Sequence, residues 1–347
     1  MNDYSNLTTS SETAASRPRR PSLNVECNLP SPHSATSWPI AAAMLQFPAT
    51  LPDGIAVTDT SPETWAALLA SIVDAGFSEV EIPSAWLRLG DLTRSRLNDF
   101  IRVMRSLNLT APGVSVVRES IIHPINWKRN LDFSHRTIDA AAAIGATIVC
   151  FGLHDALLPA QARALWFWTQ PGTQKPADPS VRALAVDRYR ELAEHAQQLG
   201  LEISLEMYED TFLGTADEAV AFIEEIGHSA AGLNPDIGNI IRLQRPIDNW
   251  EYIVAKTLPY ANYWHVKNYT RMEDPQLGIV LTAPTPLEFG MINYRDAVRY
   301  AISKGFKGAF VVEHYGGDGL SVGATNRAYL RRILSSPPLR IETAKLP

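Results

Sequence analysis

Four residues at the ends of predicted strands could together bind a metal ion. Each closes a short, mostly apolar run, and the set contains three carboxylates and one imidazole: Glu206, Asp236, His265 and Glu313. Three oxygen ligands and one nitrogen ligand suit a hard or borderline divalent ion better than a thiolate-type zinc site does. Each residue alone could be an ordinary polar strand end. Four of them in consecutive strands favour a metal site, because buried charges without a partner are costly.

A divalent ion in such a site supports proton transfer beside a carbonyl group. An ion that binds a hydroxyl and a carbonyl of a sugar stabilises the enolate that forms when the neighbouring C–H is deprotonated. Glu206 and Glu313 are predicted to act as base or acid, each on one face of the substrate. His154, after the fourth predicted strand, and Lys267, two residues after His265, are the other predicted catalytic residues. Reprotonation would give isomerisation or epimerisation, and expulsion of a β substituent would give elimination.

Four further residues are predicted to contact the substrate. His123 follows the third predicted strand, and Asn239 lies three residues after Asp236. Trp166 and Trp168 belong to an aromatic segment at residues 164–172. Because aromatic rings stack on sugars and on flat aglycones, this segment is predicted to be a substrate lid. An exposed patch that packs against a partner subunit is the alternative.

The elements that position these residues follow a repeated pattern. Six predicted helices end at a Gly or Asn that is followed at once by a short, mostly apolar segment, with the helix-ending residues at Gly76, Asn108, Gly145, Gly200, Gly227 and Gly305. These residue types suit the left-handed backbone that closes a helix. The first helix starts at Ser61-Pro62, a predicted N-cap followed by a proline in the first turn. Its apolar residues then recur at helical spacing from Trp65 to Ile72.

Eight alternating strand–helix units predict an α/β fold, the (β/α)8 TIM barrel. The count includes an opening strand near Met44–Phe47 and a seventh near 261–264. An open doubly wound sheet is the alternative, but no Gly-rich dinucleotide or P-loop motif follows any strand. We predict one catalytic domain at 39–335, after a flexible leader at 1–38 that is dispensable for turnover and before a C-terminal tail at 336–347. Barrel strands carry active sites at their C-terminal ends, where the four candidate ligands lie.

Composition disfavours several other classes of protein. The 347 residues are 46% hydrophobic and 20% charged, as in a globular chain with a sizeable core. A net charge of −6 argues against a general nucleic-acid binder. The apolar stretches are too short to cross a membrane. The two cysteines show no sign of pairing, and no targeting signal is evident, so a cytoplasmic location is expected.

The order Glu, Asp, His, Glu at the ends of strands five to eight resembles the sugar phosphate isomerase/epimerase superfamily of xylose-isomerase-like TIM barrels. The resemblance spans residues 41–335 and rests on Leu205-Glu206, Asp236-Ile237-Gly238-Asn239, His265-Val266-Lys267 and Val312-Glu313, with Val80-Glu81-Ile82 as a weaker signal. It implies that the quartet binds one divalent metal ion; Mn²⁺ is expected, with Mg²⁺ or Co²⁺ as alternatives. Many epimerases carry a His where this chain has Asn239, and the His-x-Lys form is more like the dehydratase branch.

In length and in its lid, the chain more narrowly resembles the catalytic α subunit of C-glycoside deglycosidases. That resemblance implies elimination of the aglycone from a 3-keto C-glycoside, in complex with a small β subunit. An oligomer is expected.

Four alternatives remain. The first is a sugar or polyol isomerase, epimerase or dehydratase that acts on a small keto-sugar with the same metal site. The second is a metal-free glycosidase with Glu206 and Glu313 as its carboxylate pair. The third is an abasic-site DNA repair enzyme, which the acidic charge disfavours. The last is a non-catalytic partner subunit.

Overall fold

A closed ring of parallel strands forms the centre of the computed structural model, which describes Leu23 and residues 32–336. The strands are β1 (Ile40–Ala42), β2 (Ile82–Pro83), β3 (Gly113–Val116), β4 (Ile148–Phe151), β5 (Glu202–Glu206), β6 (Ala231–Asn234), β7 (Trp264–Val266), β8 (Asn268–Asp274), β9 (Ile279–Thr285) and β10 (Phe310–Val312). An antiparallel hairpin contains β8 and β9, and the other eight strands pair in parallel. Backbone bridges from Ala42 to Val80 and from Leu233 to Ala261 close the ring. The predicted TIM barrel is confirmed.

Helices surround this ring. They are α1 (Pro62–Asp74), α2 (Arg94–Ser106), α3 (Trp127–Ile144), α4 (Pro159–Arg163), α5 (Pro179–Gln198), α6 (Ala216–Ile226), α7 (Gly238–Ile241), α8 (Trp250–Thr257), α9 (Tyr294–Ser303) and α10 (Gly319–Ser335). Their apolar stripes face the strands, as in α1, where Trp65, Leu69 and Ile72 are fully buried. No helix in the described ranges is both long and apolar enough to cross a membrane.

The helix boundaries follow the predicted capping residues. All six predicted helix-ending residues have left-handed backbone, with φ between 53° and 91°. At the start of α1, the Ser61 hydroxyl accepts a hydrogen bond from the backbone N–H of Thr64, and Pro62 occupies the first turn. Local sequence therefore indicates where six of these helices end and where α1 begins.

The first strand lies earlier in the sequence than predicted. It was expected near Met44–Phe47, but β1 covers Ile40–Ala42, and the backbone N–H of Phe47 bonds to the carbonyl of Met44 in a turn. The small residues Ala41 and Ala43 are buried inside the narrow barrel. A short Ala-rich strand lacks the bulky apolar residues by which the other strands were recognised. The seventh strand, expected at 261–264, is likewise shifted to Trp264–Val266.

The structure describes the last seven residues of the predicted leader. Within them, Trp38 is only 2% exposed, and its indole N–H donates to the carbonyl of Gly308 at 2.9 Å. The Trp38 ring also packs against Phe306 and Phe310, with ring centroids 6.3 and 5.8 Å away. The segment just before β1 is therefore part of the core at the N-terminal end of the barrel. Apart from Leu23, the preceding residues 1–31 lie outside the described ranges, as does the predicted tail beyond Ser336.

Candidate metal centre and active site

The four candidate ligands meet at one rim of the barrel. Glu206 ends β5, Asp236 follows β6 by two residues, His265 lies in β7, and Glu313 directly follows β10. Because these strands are parallel, their C-terminal ends lie at the same edge. The Nδ1 atom of His265 lies 3.1 Å from Oε1 of Glu313, 3.8 Å from Oε1 of Glu206 and 3.9 Å from Oδ2 of Asp236. The structure therefore brings together the residues that the sequence analysis grouped.

The donor atoms of this quartet fit a divalent ion. His265 Nδ1 is buried and has no well-aligned hydrogen-bond partner, although three carboxylates face it. An unpaired buried nitrogen is costly unless something binds it. Two groups of side chains have ligand atoms close enough together to hold a metal ion. One consists of Glu206, Asp236 and His265, and the other of Glu81, His265 and Glu313. Oxygen-rich sets of this kind suit Mg²⁺ or Mn²⁺.

Lys267 extends into the same cluster. Its ammonium forms ion pairs with Asp236 and Glu313, and the side chain is only 3% exposed. Burial alone would lower the pKa of Lys267, but the two carboxylates outweigh that effect and raise it well above the usual value, so the side chain stays protonated. The position of its stem depends on Gly238, since a Cβ there would collide with the Lys267 side chain.

Asn239 contacts the candidate ligands directly. Its side-chain NH₂ donates to Oε1 of Glu206 at 2.9 Å and to Oδ2 of Asp236 at 3.0 Å, and also to the carbonyl of Met207 at 3.0 Å. These bonds hold two of the candidate ligand carboxylates in place. The predicted contact of Asn239 with the substrate stays a prediction.

Two histidines were predicted near the substrate, and their surroundings differ. His154 is buried, with its ring stacked on Tyr208 at a centroid distance of 4.6 Å. Burial lowers the pKa of His154 to about 4, so the ring is neutral at neutral pH. The Nδ1 atom of His123 instead accepts the backbone N–H groups of Ile125 and Asn126 at 3.1 and 3.0 Å. His123 thus holds the loop that leads into α3.

Aromatic rings cover the rim beside Lys267 and Glu313. We call Trp166, Phe167, Trp168, Tyr269 and Tyr315 the aromatic roof. Trp166 and Trp168 stack with centroids 5.1 Å apart, and Trp168 meets the rings of Tyr269 and Tyr315 edge-on at 5.5 and 5.3 Å. The Lys267 ammonium lies 5.7 Å from the centre of the Tyr315 ring. The aromatic segment predicted to be a lid therefore packs against Tyr269 and Tyr315, and Tyr315 lies next to the charged cluster.

Comparison with known proteins identifies the family. The chain matches the family described as xylose isomerase-like TIM barrel over residues 69–333. It belongs to this family. A xylose isomerase-like TIM-barrel protein from Mycobacterium smegmatis, crystallised with magnesium, is 45% identical; the match covers 87% of this chain and 98% of that one, with a TM-score of 0.84. No curated protein matches the chain significantly.

Two sugar epimerases share the fold at lower identity. The 3-keto-D-glucoside 4-epimerase from E. coli is 15% identical, with a TM-score of 0.60 over 85% of this chain and 99% of the epimerase. The D-allulose 3-epimerase from Methylomonas sp. is 17% identical, with a TM-score of 0.57 over 84% and 90%. At these identities the likeness shows the fold.

This member of the xylose isomerase-like family contains a buried ion pair that the sequence analysis missed. Arg242, four residues after the start of α7, is fully buried, and its Nη2 atom donates to both carboxylate oxygens of Glu209 at 2.9 and 2.8 Å. The Arg242 guanidinium also lies 4.8 Å from the ring centre of Phe167 and 5.1 Å from that of Trp168. The pair thereby supports the aromatic roof. An Arg that ends an apolar run after a strand-end Asp was the available signal.

A second missed residue is Glu81, which the sequence analysis quoted only as part of a strand. Its Oε1 atom lies 2.7 Å from Nε2 of His265, and both side chains are 3% exposed. Because Nε2 faces Glu81, Nδ1 of His265 faces the other three carboxylates. A carboxylate behind a metal-binding histidine fixes its ring orientation and tautomer. A carboxylate next to a strand end was the signal that could have identified it.

Replacing Glu81 by alanine is expected to weaken divalent-metal binding about 10–100-fold, and Glu81→Gln is expected to weaken it less. The physical reason is that His265 loses the acceptor that orients its ring, while glutamine retains a neutral oxygen. Competition with a fluorescent chelator would measure the affinity. Glu79→Gln, a carboxylate bonded to Ser78, is the matched control. Equal metal affinity in the wild type and in Glu81→Ala would contradict the positioning role.

Proposed function

We propose that the chain is a divalent-metal-dependent enzyme that removes a proton next to the carbonyl group of a keto-sugar. The observation that carries this proposal is the convergence of three carboxylates on the unpaired Nδ1 atom of His265. Glu206, Asp236, His265 and Glu313 would hold the ion. Mn²⁺ is the proposed metal, and the magnesium in the Mycobacterium smegmatis protein supports an ion of this hard class.

Two carboxylates of the quartet are ionised and so are free to accept a proton. Burial raises the pKa of Glu206, but the nearby His265 side chain and the charge of Lys267 together outweigh burial and leave the pKa well below the usual value. For Glu313, burial is likewise outweighed, and the charges of Lys267 and His265 lower the pKa to about 2. Both groups are therefore ionised at neutral pH. The bound ion would supply positive charge that lowers the energy of an enolate.

Lys267 and His154 would assist that proton transfer. The Lys267 ammonium, held by two carboxylates, can donate a hydrogen bond to a substrate oxygen. His154 stays neutral above about pH 4, so it can accept a proton or donate an N–H but does not supply an imidazolium at neutral pH. The aromatic roof would exclude water from the reacting atoms.

The finer proposal is elimination from a 3-keto C-glycoside. A carboxylate takes the proton from the carbon between the ketone and the anomeric carbon. The electron pair of the broken C–H bond then forms a double bond to the anomeric carbon. The bond between the anomeric carbon and the aglycone carbon breaks. The aglycone carbon keeps the electron pair of that bond and then receives a proton from an acid. The second candidate is isomerisation or epimerisation of a small keto-sugar, which the shared fold of the epimerases favours. A small β subunit and an oligomeric state stay predictions.

The test uses protein loaded with Mn²⁺ and the same protein treated with EDTA. Substrates are D-fructose, 3-keto-glucose and the 3-keto form of a phenolic C-glucoside. Proton NMR in D₂O measures exchange of the hydrogen beside the ketone, and chromatography measures free aglycone. Exchange that requires metal supports the proposed function, and aglycone release selects elimination over isomerisation. Unchanged activity after EDTA, or no exchange with any keto-sugar, would overturn it.

A further inference from the structure

A cavity of about 200 Å³ lies beside the charged cluster. Its walls come from the loops after β3, β4 and β5. His154 and Tyr208 are among its lining residues, and Tyr208 lies two positions after Glu206 along the chain. The cavity therefore lies against the loop that follows Glu206, with the stacked rings of His154 and Tyr208 in its wall.

The charged cluster itself offers little room. Asp236, His265, Lys267 and Glu313 are each at most 5% exposed, and Tyr315 of the aromatic roof lies beside Lys267. The atoms of a substrate that react must reach these groups. The rest of a larger substrate then needs a separate space, and the cavity supplies one next to Glu206.

The cavity walls combine apolar surface with unpaired polar atoms. Ile122 and Phe212 contribute apolar surface. Ser120 and His154 are 1% and 4% exposed; Ser120 Oγ and Oδ1 of the half-buried Asp155 have no hydrogen-bond partner, whereas Nδ1 of His154 faces the backbone of Gly152. Buried polar groups without partners are rare, and ligand hydroxyls satisfy such groups.

Backbone strain points to the same place. In the described ranges, three residues other than glycine have positive φ: Asn108, Arg118 and Asp210. Asn108 closes α2, whereas Arg118 and Asp210, with φ of 58° and 63°, both line the cavity. The Arg118 guanidinium is held by the carbonyl of Asp155 at 2.8 Å and the hydroxyl of Tyr208 at 3.0 Å. Such strain costs free energy and clusters at ligand sites.

We propose that this cavity is the subsite for a hydroxylated ring attached to the anomeric carbon of the keto-sugar. The mixed walls suit a ring with hydroxyl groups, either a phenolic aglycone or a second sugar. The subsite makes the enzyme selective for keto-glycosides over free keto-sugars. This inference rests on the proposed function.

The test fills the cavity and measures selectivity. Ala156 lines the cavity and is exposed at its rim, so Ala156→Trp places an indole in the opening without disturbing the core. Ile125→Trp is the matched control, because Ile125 is 83% exposed and does not line the cavity. Substrates are 3-keto-glucose and the 3-keto forms of phenyl glucoside, hydroxyphenyl glucoside and cellobiose. Proton exchange gives kcat/KM for each.

We expect the wild type to prefer a ring-bearing substrate at least tenfold over 3-keto-glucose. In Ala156→Trp that ratio should fall at least tenfold, mainly through KM, while Ile125→Trp keeps it. Preference for hydroxyphenyl glucoside over cellobiose would identify a phenolic ring, and the reverse a sugar. A ratio that is the same in the wild type and in Ala156→Trp would overturn the subsite.

Calorimetry with unoxidised hydroxyphenyl glucoside and cellobiose separates the two proposals, because these compounds lack the ketone and cannot form the enolate. Binding that weakens at least tenfold in Ala156→Trp and not in Ile125→Trp supports the subsite, whether or not a keto-sugar exchanges its proton. If no keto-sugar exchanges its proton, only the proposed function is overturned. If proton exchange is observed but the unoxidised compounds do not bind and ring-bearing substrates are not preferred over 3-keto-glucose, only the subsite is overturned.

Discussion

Glu313→Ala is expected to lower divalent-metal affinity on the order of 100-fold or more, because removing a ligand should cost more than removing a group behind one. Plasma mass spectrometry would measure the metal content of protein purified without a metal-affinity tag, then loaded with Mn²⁺ and desalted. About one equivalent of metal is expected in the wild type, and the variant should retain little. Metal-dependent proton exchange should disappear with it.

The matched control is Glu288→Ala, which removes an exposed carboxylate paired with Arg332. An exposed ion pair contributes under about 1 kcal/mol, so this variant should keep the wild-type metal content and fold. Circular dichroism of all three proteins would show that Glu313→Ala remains folded. Equal metal content in the wild type and Glu313→Ala would contradict the metal site.

Arg242→Met is expected to lower the free energy of unfolding by about 3–5 kcal/mol, because it leaves the Glu209 carboxylate buried without its partner. Urea denaturation followed by circular dichroism would measure the change. The double variant Arg242→Met with Glu209→Gln should recover part of the loss, since it removes the unpaired charge as well.

Arg245→Met provides the comparison for Arg242. Arg245 lies three residues further along and pairs with Asp210 at 2.8 Å, but its side chain is 50% exposed. Because the Arg245 guanidinium is half exposed, whereas Asp210 is 11% exposed, removing this pair should cost about 1 kcal/mol, less than removing the fully buried one. If Arg242→Met destabilised the protein no more than Arg245→Met, the buried pair would not be important for the fold.

Local signals explain how much of this molecule could be predicted. The helix-closing residue at Gly145 and the periodic stripe in α1 depend on neighbours in sequence, and the barrel follows from repeating such units. The quartet was identifiable because each member lies at or within two residues of the end of a strand, and parallel strands bring their ends together. The position of the first strand was predicted wrongly because Ala41 and Ala43 are buried but lack the bulky side chains that mark the other strands.

Contacts distant in sequence were not accessible in the same way. Glu81 meets His265 across 184 residues, and Arg242 meets Glu209 across 33. Such pairing depends on the three-dimensional directions of strands and loops at the C-terminal end of the barrel, which local sequence does not specify. The neighbours of Asn239 along the chain likewise do not reveal that its side chain faces Glu206.

The stacked indoles of Trp166 and Trp168 have a spectroscopic consequence. Their centroids lie 5.1 Å apart with planes inclined by 19°. Two indoles this close couple their electronic transitions, and the sign and strength of the resulting circular dichroism depend on their mutual orientation. Although the chain has eight tryptophans, a Trp166→Phe difference spectrum isolates the pair. Rearrangement of the aromatic segment can therefore be followed in real time without attaching a label.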